Sequence, residues 1–274
     1  MREKKVLFTV VVDNYAPALT ELTFPWLRHY ASKIGADFHI ISDRKSPHLP
    51  PAMEKLQIYD LGKDNDWNVY IDADALINPD LMDVTSLLHK DTVLFTGKDM
   101  AAMRFRPTGY EKRDGRYIGA CNWFCAASDW CIDLWYPLDL TREEAINNIF
   151  PVCSEKMSGI IDPAHLMDDY TLSRNIARFG LKHLTIEQDL KPKFNRPYDN
   201  YYWHQYTMPI ETKVQKMLEI LVLWGMILPE VDEKYHDYIE AIKAQQAAQR
   251  LQPFAPQSGM MLPPGLQQIP VGVM

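Results

Sequence analysis

Apolar and polar positions fall into blocks that predict strand, helix, strand, helix and strand over the first 80 residues. Residues 6–12 form an apolar run behind the charged start Arg2-Glu3-Lys4-Lys5, as a strand covered on both faces requires. Over 19–34 apolar residues recur at helical spacing (Leu22, Trp26, Leu27, Tyr30, Ile34), with Pro25 marking a bend and Gly35 a C-cap. A second strand over 38–41 leads through the proline-rich stretch 46–51 into a helix over about 52–61, and 67–71 reads as a third strand. Such alternation implies parallel pairing with right-handed crossovers.

Beyond Pro79 the pattern predicts a helix over 81–88, a strand over 92–96, loops or a short hairpin over 98–116, and a strand over 118–127. A helix starts at Trp130, another follows the acid pair Asp168-Asp169 over 170–179 and stops at Gly180, and 181–186 reads as a strand. Residues 191–206 form a basic and aromatic loop. In 211–228 the apolar residues Val214, Met217, Leu218, Leu221, Val222 and Met226 keep helical spacing up to Pro229, and a more polar helix covers 232–250. The stretch 252–274 carries no charge and is rich in Pro, Gln, Gly and Met, which predicts a disordered tail. The division expected is a catalytic α/β domain over 1–210, a helical extension over 211–251 and the tail. The extension is also a candidate surface for homo-oligomer formation.

Composition narrows the function. A chain of 274 residues with 47% apolar content can bury one large core. Its net charge of -7 argues against nucleic acid as a main partner, since that grip needs clustered Lys and Arg. With no apolar run long enough for a membrane span and no signal-like start, a soluble cytoplasmic protein is expected. Cys121, Cys125, Cys131 and Cys153 lack paired C-x2-C spacing and read as reduced, mostly buried thiols.

The chemistry concentrates where the third strand ends, in Val69-Tyr70-Ile71-Asp72-Ala73-Asp74. Side chains at i and i+2 of an extended segment share a side, so Asp72 and Asp74 can meet one cation. Mg²⁺ or Mn²⁺ held by one or two carboxylates completes its shell with water and phosphate oxygens, which points to a nucleoside diphosphate. Asp13, Asn14 and Tyr15 end the first strand in the same crevice, where open α/β sheets bind ligands. Asp13 or Asn14 can read a base edge, and Asp43, ending the second strand, can meet base or ribose. Lys55 can reach toward the phosphates, as can Lys191, Lys193 and Arg196. The ordinary alternatives are a solvated helical or loop lysine and acids that cap a turn.

The run Lys55-Leu56-Gln57-Ile58-Tyr59-Asp60-Leu61 followed by the D-x-D strand end resembles the GT-A-fold nucleotide-sugar glycosyltransferases, in particular the glycogenin-like group. The resemblance covers roughly the first 90 residues. It implies a Rossmann-like, mostly parallel twisted sheet with helices on both faces, and a metal-dependent enzyme that moves a sugar from a nucleoside diphosphate donor, UDP-linked, to a hydroxyl on a glycan, protein or small molecule. By the same resemblance Asp72 and Asp74 hold Mn²⁺ or Mg²⁺, His204 supplies a third ligand from beyond the central domain, and Tyr15 stacks on uracil. The surroundings H-x-x-G-x-x-K-P of that group are absent around His204. Asp169, with Asp168 beside it, matches the acid that many such enzymes place near the acceptor hydroxyl, against a simple helix-capping role. Gly119, Asn122 and Trp123 would line the acceptor side. Stereochemistry stays open. Two rivals remain at this level: a haloacid-dehalogenase-type phosphatase with Asp72 as nucleophile, and a non-catalytic binding module on the same scaffold.

Overall fold

The computed structural model describes residues 3–98, 120–149, 163–190, 193, 201–205 and 208–251. A six-stranded sheet organises the first unit, Met1–Ile220. Its strands are β1 (Lys5–Val10), β2 (Ala36–Ile41), β3 (Trp67–Ile71), β5 (Thr92–Lys98), β6 (Ala120–Ser128) and β7 (Lys182–Thr185), in the order β2-β1-β3-β6-β5-β7. β1 runs parallel to β2 and β3, and β5 parallel to β7; β6 alone runs antiparallel to both neighbours. The α/β class expected of the sequence is therefore what the structure shows, with one reversed strand in the middle of the sheet.

Alternation along the strands explains why their runs are apolar throughout. Val6 and Phe8 of β1, Tyr70 of β3 and Cys125 and Ala127 of β6 join one core, which the helix α4 (Met167–Arg178) completes with Met167, Tyr170, Leu172 and Ile176. Leu7, Val69, Ile71, Phe124 and Ala126 face the other way, onto Leu27, Tyr30, Ala31 and Ile34 of α1 (Pro17–Ile34). Each of the Val, Leu, Ile, Phe and Met side chains among them contributes about 1.5–3 kcal/mol through burial. Pro25 lies within α1 without ending it, and Gly35 closes the helix in the left-handed conformation expected of it (φ 70°).

Several elements differ from expectation. The segment after β2 is a 3-10 helix (Pro51–Gln57) running into the single α-turn α2 (Ile58–Leu61). The helix expected over 81–88 shrinks to the 3-10 turn Val84–Leu87, which starts at Asp83, whose carboxylate caps it by accepting from the Thr85 N–H at 3.0 Å. The helix expected from Trp130 is a 3-10 segment, Asp129–Trp135, kinked at Cys131. A helix not expected, α3 (Arg142–Ile149), starts at a capping box in which Thr141 and Glu144 bond reciprocally. Two short strands, β4 (Leu76–Ile77) and β8 (Tyr202–Trp203), form a separate antiparallel pair. The loops or short hairpin expected over 98–116, past Lys98, and the tail 252–274 lie outside the described residues.

The second unit, Leu221–Met274, takes in the end of α5 (Ile210–Trp224) and all described residues of α6 (Pro229–Leu251). Gly225 (φ 68°) terminates α5, its N–H on the Val222 carbonyl and that of Met226 on Leu221. Among the described residues no helix is long and apolar enough to cross a membrane.

Candidate active site

β3 delivers the acid pair. All five of its residues are buried, and its last rung is the Asp72 N–H on the Trp123 carbonyl of β6 at 2.8 Å. The chain then turns: the Ala75 N–H returns to the Asp72 carbonyl at 3.1 Å, and Thr23 of α1 donates its hydroxyl to the Ala73 carbonyl at 2.5 Å. The two carboxylates thus converge through a turn anchored on α1, not through an extended i, i+2 pair.

The small β4–β8 ladder brings the third group. Leu76 pairs with Trp203, Ile77 with Tyr202, and the Asn78 N–H meets the Tyr201 carbonyl at 2.7 Å, so His204 emerges directly over the turn. Its ring stacks on Trp123, with centroids 5.0 Å apart and planes at 23°. His204 Nε2 lies 3.4 Å from Asp74 Oδ1 and 3.6 Å from Asp72 Oδ2. The other oxygen of each acid is engaged elsewhere. Tyr70 donates its hydroxyl to Asp72 Oδ1, while Tyr15 donates to Asp74 Oδ2 at 2.9 Å and Lys213 to the same atom at 2.5 Å. Two carboxylate oxygens and one imidazole nitrogen therefore face a common point, within 4.8 Å of one another, with their orientation held by outer partners. That donor set fits Mn²⁺ or Mg²⁺, and tethered outer oxygens are what ligating carboxylates need.

Electrostatics follow from this packing. Burial alone would raise the Asp74 carboxyl, but the His204 imidazole and the Lys213 ammonium outweigh it and hold Asp74 well below the usual carboxylate range. Burial and the adjacent Asp74 charge push the Tyr15 hydroxyl far up, so it remains a donor.

A second set of acids sits opposite. Lys55, 1% exposed, directs its ammonium to Asp168 Oδ2 at 2.8 Å and lies 3.6 Å from Asp72 Oδ1 and 4.5 Å from the Tyr70 ring centroid. It is no surface lysine, and its charge is committed to the two acids. Asp169 Oδ1 accepts from Asn122 Nδ2 of β6 at 2.9 Å. The N-cap position of α4 is Leu166, without a side-chain cap, so Asp168 and Asp169 sit inside the first turn, where their charge favours the helix dipole while Lys55 and Asn122 hold them.

A cavity of about 300 Å³ joins these groups. Its lining includes the polar residues Asp72, Asp74, His204, Asn122, Asp168 and Asp169 and the apolar residues Val10, Val12, Pro50, Pro51 and Ala52, with Tyr15 and Trp123. The remaining residues singled out from the sequence lie apart. Asp13 and Asn14 form a tight turn (φ 54° at each) that aims Tyr15, and the Asp13 carboxylate pairs with Arg44 at 2.5 Å. Asp43 is exposed, with its carbonyl taken by Gln57, and Lys193 is exposed; neither is among the cavity's lining residues. Gly119, Lys191 and Arg196 lie outside the described residues.

No protein-family model matches this sequence, and no curated protein matches it. Solved structures similar to the chain include a glycosyltransferase involved in the glycosylation of the major capsid of PBCV-1, at 10% identity and a TM-score of 0.45, covering 78% of this chain and 98% of that one. Another is the WbbM bifunctional glycosyltransferase in its apo form, at 13% identity and a TM-score of 0.40, covering 68% of this chain and 40% of that one. These neighbours are glycosyltransferases; the functional reading rests on the site's own geometry.

Two members of the cluster were not singled out from the sequence. Tyr70 is hidden inside an apolar strand and announces nothing. Lys213 carried a readable signal: it lies four residues before Met217, on the apolar stripe of α5, where a lysine needs a buried partner.

Proposed function

We propose that this chain is a divalent-metal-dependent glycosyltransferase of the GT-A type, transferring a sugar from a UDP-linked donor to a hydroxyl acceptor. The observation that carries the reading is the convergence of Asp72 Oδ2, Asp74 Oδ1 and His204 Nε2 on the wall of a cavity that also presents Asp168 and Asp169. Mn²⁺ or Mg²⁺ held by Asp72, Asp74 and His204 would neutralise charge on the departing diphosphate. The apolar lining residues, with Tyr15 39% exposed, suit a nucleobase and its ribose, since an aromatic face binds a base through stacking. Asp169, steadied by Asn122, is placed to take the proton of an acceptor hydroxyl. Lys55 holds Asp168 and Asp72 in fixed relation, and Asp169 is the base in this reading.

Calorimetry of the full chain with UDP and GDP, with and without Mn²⁺, tests the proposal. Saturable, Mn²⁺-dependent UDP binding is expected, and Asp74→Asn abolishes it while the melting profile stays cooperative. Absence of binding by any nucleoside diphosphate overturns the reading.

A further inference from the structure

Lys213 is the least expected member of the site. It belongs to the first turn of α5, where the helix dipole disfavours a cation, and its side chain is only 4% exposed. A lysine buried there forfeits hydration and rotamer freedom, so its position makes sense only through its partner, Asp74 Oδ2 at 2.5 Å. Among the described ion pairs Lys213 has no other carboxylate, whereas Lys55 divides its charge between Asp168 and Asp72.

The charge balance has a consequence for cation binding. Asp72 and Asp74 bring two negative charges to the point that faces His204, but each lies against a buried ammonium, at 3.6 Å and 2.5 Å respectively. Affinity for a hard divalent ion rises with the negative charge its ligands supply. A carboxylate shared with a lysine supplies less. We propose, building on the metal-dependent reading above, that Lys213 holds the acid pair below the charge needed to retain a divalent cation by itself, so that the ion is bound only together with a nucleoside diphosphate. The diphosphate brings the missing negative charge, and metal and nucleotide then bind with strong positive coupling, each raising the other's affinity by the same factor. Lys213 is in this role a positioning and charge-setting residue that need not touch the donor.

The test is Mn²⁺ binding to the full chain, read from the electron-spin resonance of free Mn²⁺, with and without UDP. Wild type is expected to bind Mn²⁺ weakly alone and much more tightly with UDP. Lys213→Met keeps the length and apolar stem of the side chain and removes only its charge. It should bind Mn²⁺ alone at least about tenfold more tightly than wild type, with a correspondingly smaller gain from UDP. Lys213→Gln serves as a second variant should the first melt early, and Lys213→Arg should restore wild-type coupling. Unchanged or weaker Mn²⁺ binding by the charge-removed variants overturns the proposal, as does a variant that loses UDP affinity alone, the signature of a simple phosphate contact. If no variant and no wild-type sample binds Mn²⁺ even with UDP, the metal-dependent reading itself fails; if wild type binds Mn²⁺ tightly without UDP, only the role given to Lys213 does.

Discussion

Lys55 and Asp168, 113 residues apart in the chain, meet at 2.8 Å beside the cavity that Asp168 lines, and the same ammonium lies 3.6 Å from Asp72. One buried cation thus links the strand end that carries Asp72 to the first turn of α4. The first prediction follows from its burial. Lys55→Met leaves Asp168 and Asp72 without their shared counter-charge, and breaking a buried pair from one side is costly. Because those acids keep side-chain exposures of 13% and 25%, a loss of about 2–4 kcal/mol is expected, below the full cost of an orphaned charge. Urea denaturation of Lys55→Met and Lys55→Arg measures it, and the arginine variant should recover part of the loss.

Tyr70 offers a gentler probe of the same cluster. Its hydroxyl reaches Asp72 Oδ1 from inside β3, so Tyr70→Phe removes one hydrogen bond and leaves the ring packed. Outer partners of metal ligands are worth roughly 10–100-fold in metal affinity. The expected outcome is Mn²⁺ binding in the presence of UDP weakened by about tenfold, with the unfolding midpoint moved by about 1 kcal/mol or less. An affinity equal to wild type would detach Tyr70 from the proposed metal site.

The contrast between these residues shows what the sequence could carry. β3 was readable to the residue, because a five-residue buried run ending in two acids has no competing interpretation as a helix. The direction of β6 was not: its apolar run fits a strand either way, and only hydrogen bonding to β3 and β5 decides that it runs antiparallel. His204 was reached through a family resemblance, yet what puts it over the acids is a ladder of two residue pairs, far below the length at which periodicity registers. Asp13 and Asp43 were reasonable candidates by position at strand ends; the loop conformation turns Asp13 to Arg44 and leaves Asp43 exposed, details set by backbone geometry that composition does not encode.

Alkaline pH should weaken the fold, with a sign fixed by its buried thiols. Burial, then the nearby Asp91, Asp133 and Asp129 charges, push the Cys131 thiol up to about 11 from an ordinary value of 9.0. Burial raises Cys125 further, although Lys55 pulls the other way. Below pH 9.0 both folded and unfolded chains keep these protons and nothing changes. Above it the unfolded chain loses protons that the folded chain retains, so stability falls as pH rises toward about 11. The buried hydroxyls of Tyr30 and Tyr70 act in the same direction from about 10 upward. Urea midpoints taken between pH 8 and 10.5 should fall steadily, and Cys131→Ala should flatten part of the slope; a flat wild-type profile would contradict the burial of these groups.

The division of labour between the two neighbouring acids gives the sharpest kinetic expectation. Asp168 Oδ2 is bonded to the Lys55 ammonium at 2.8 Å, while Asp169 Oδ1 accepts from the Asn122 side-chain amide at 2.9 Å. Lys55 joins Asp168 to Asp72 in one ion-pair network, so Asp168 is assigned to holding the two acids together and Asp169, beside Asn122 on the cavity lining, to the acceptor hydroxyl. Asp169→Asn should therefore lower kcat by about 10²–10⁴-fold while Mn²⁺-dependent UDP binding stays within about twofold of wild type. Asn122→Ala should act through the same carboxylate, lowering kcat by a smaller factor at unchanged donor affinity. Asp168→Asn should instead show its main effect as lost stability, matching Lys55→Met. Product release measured from a UDP-sugar donor, with donor affinity measured separately, distinguishes these roles. If Asp168→Asn kept UDP binding and stability yet abolished turnover, and Asp169→Asn remained active, the base would be the lysine-bound acid and the assignment would have to be reversed.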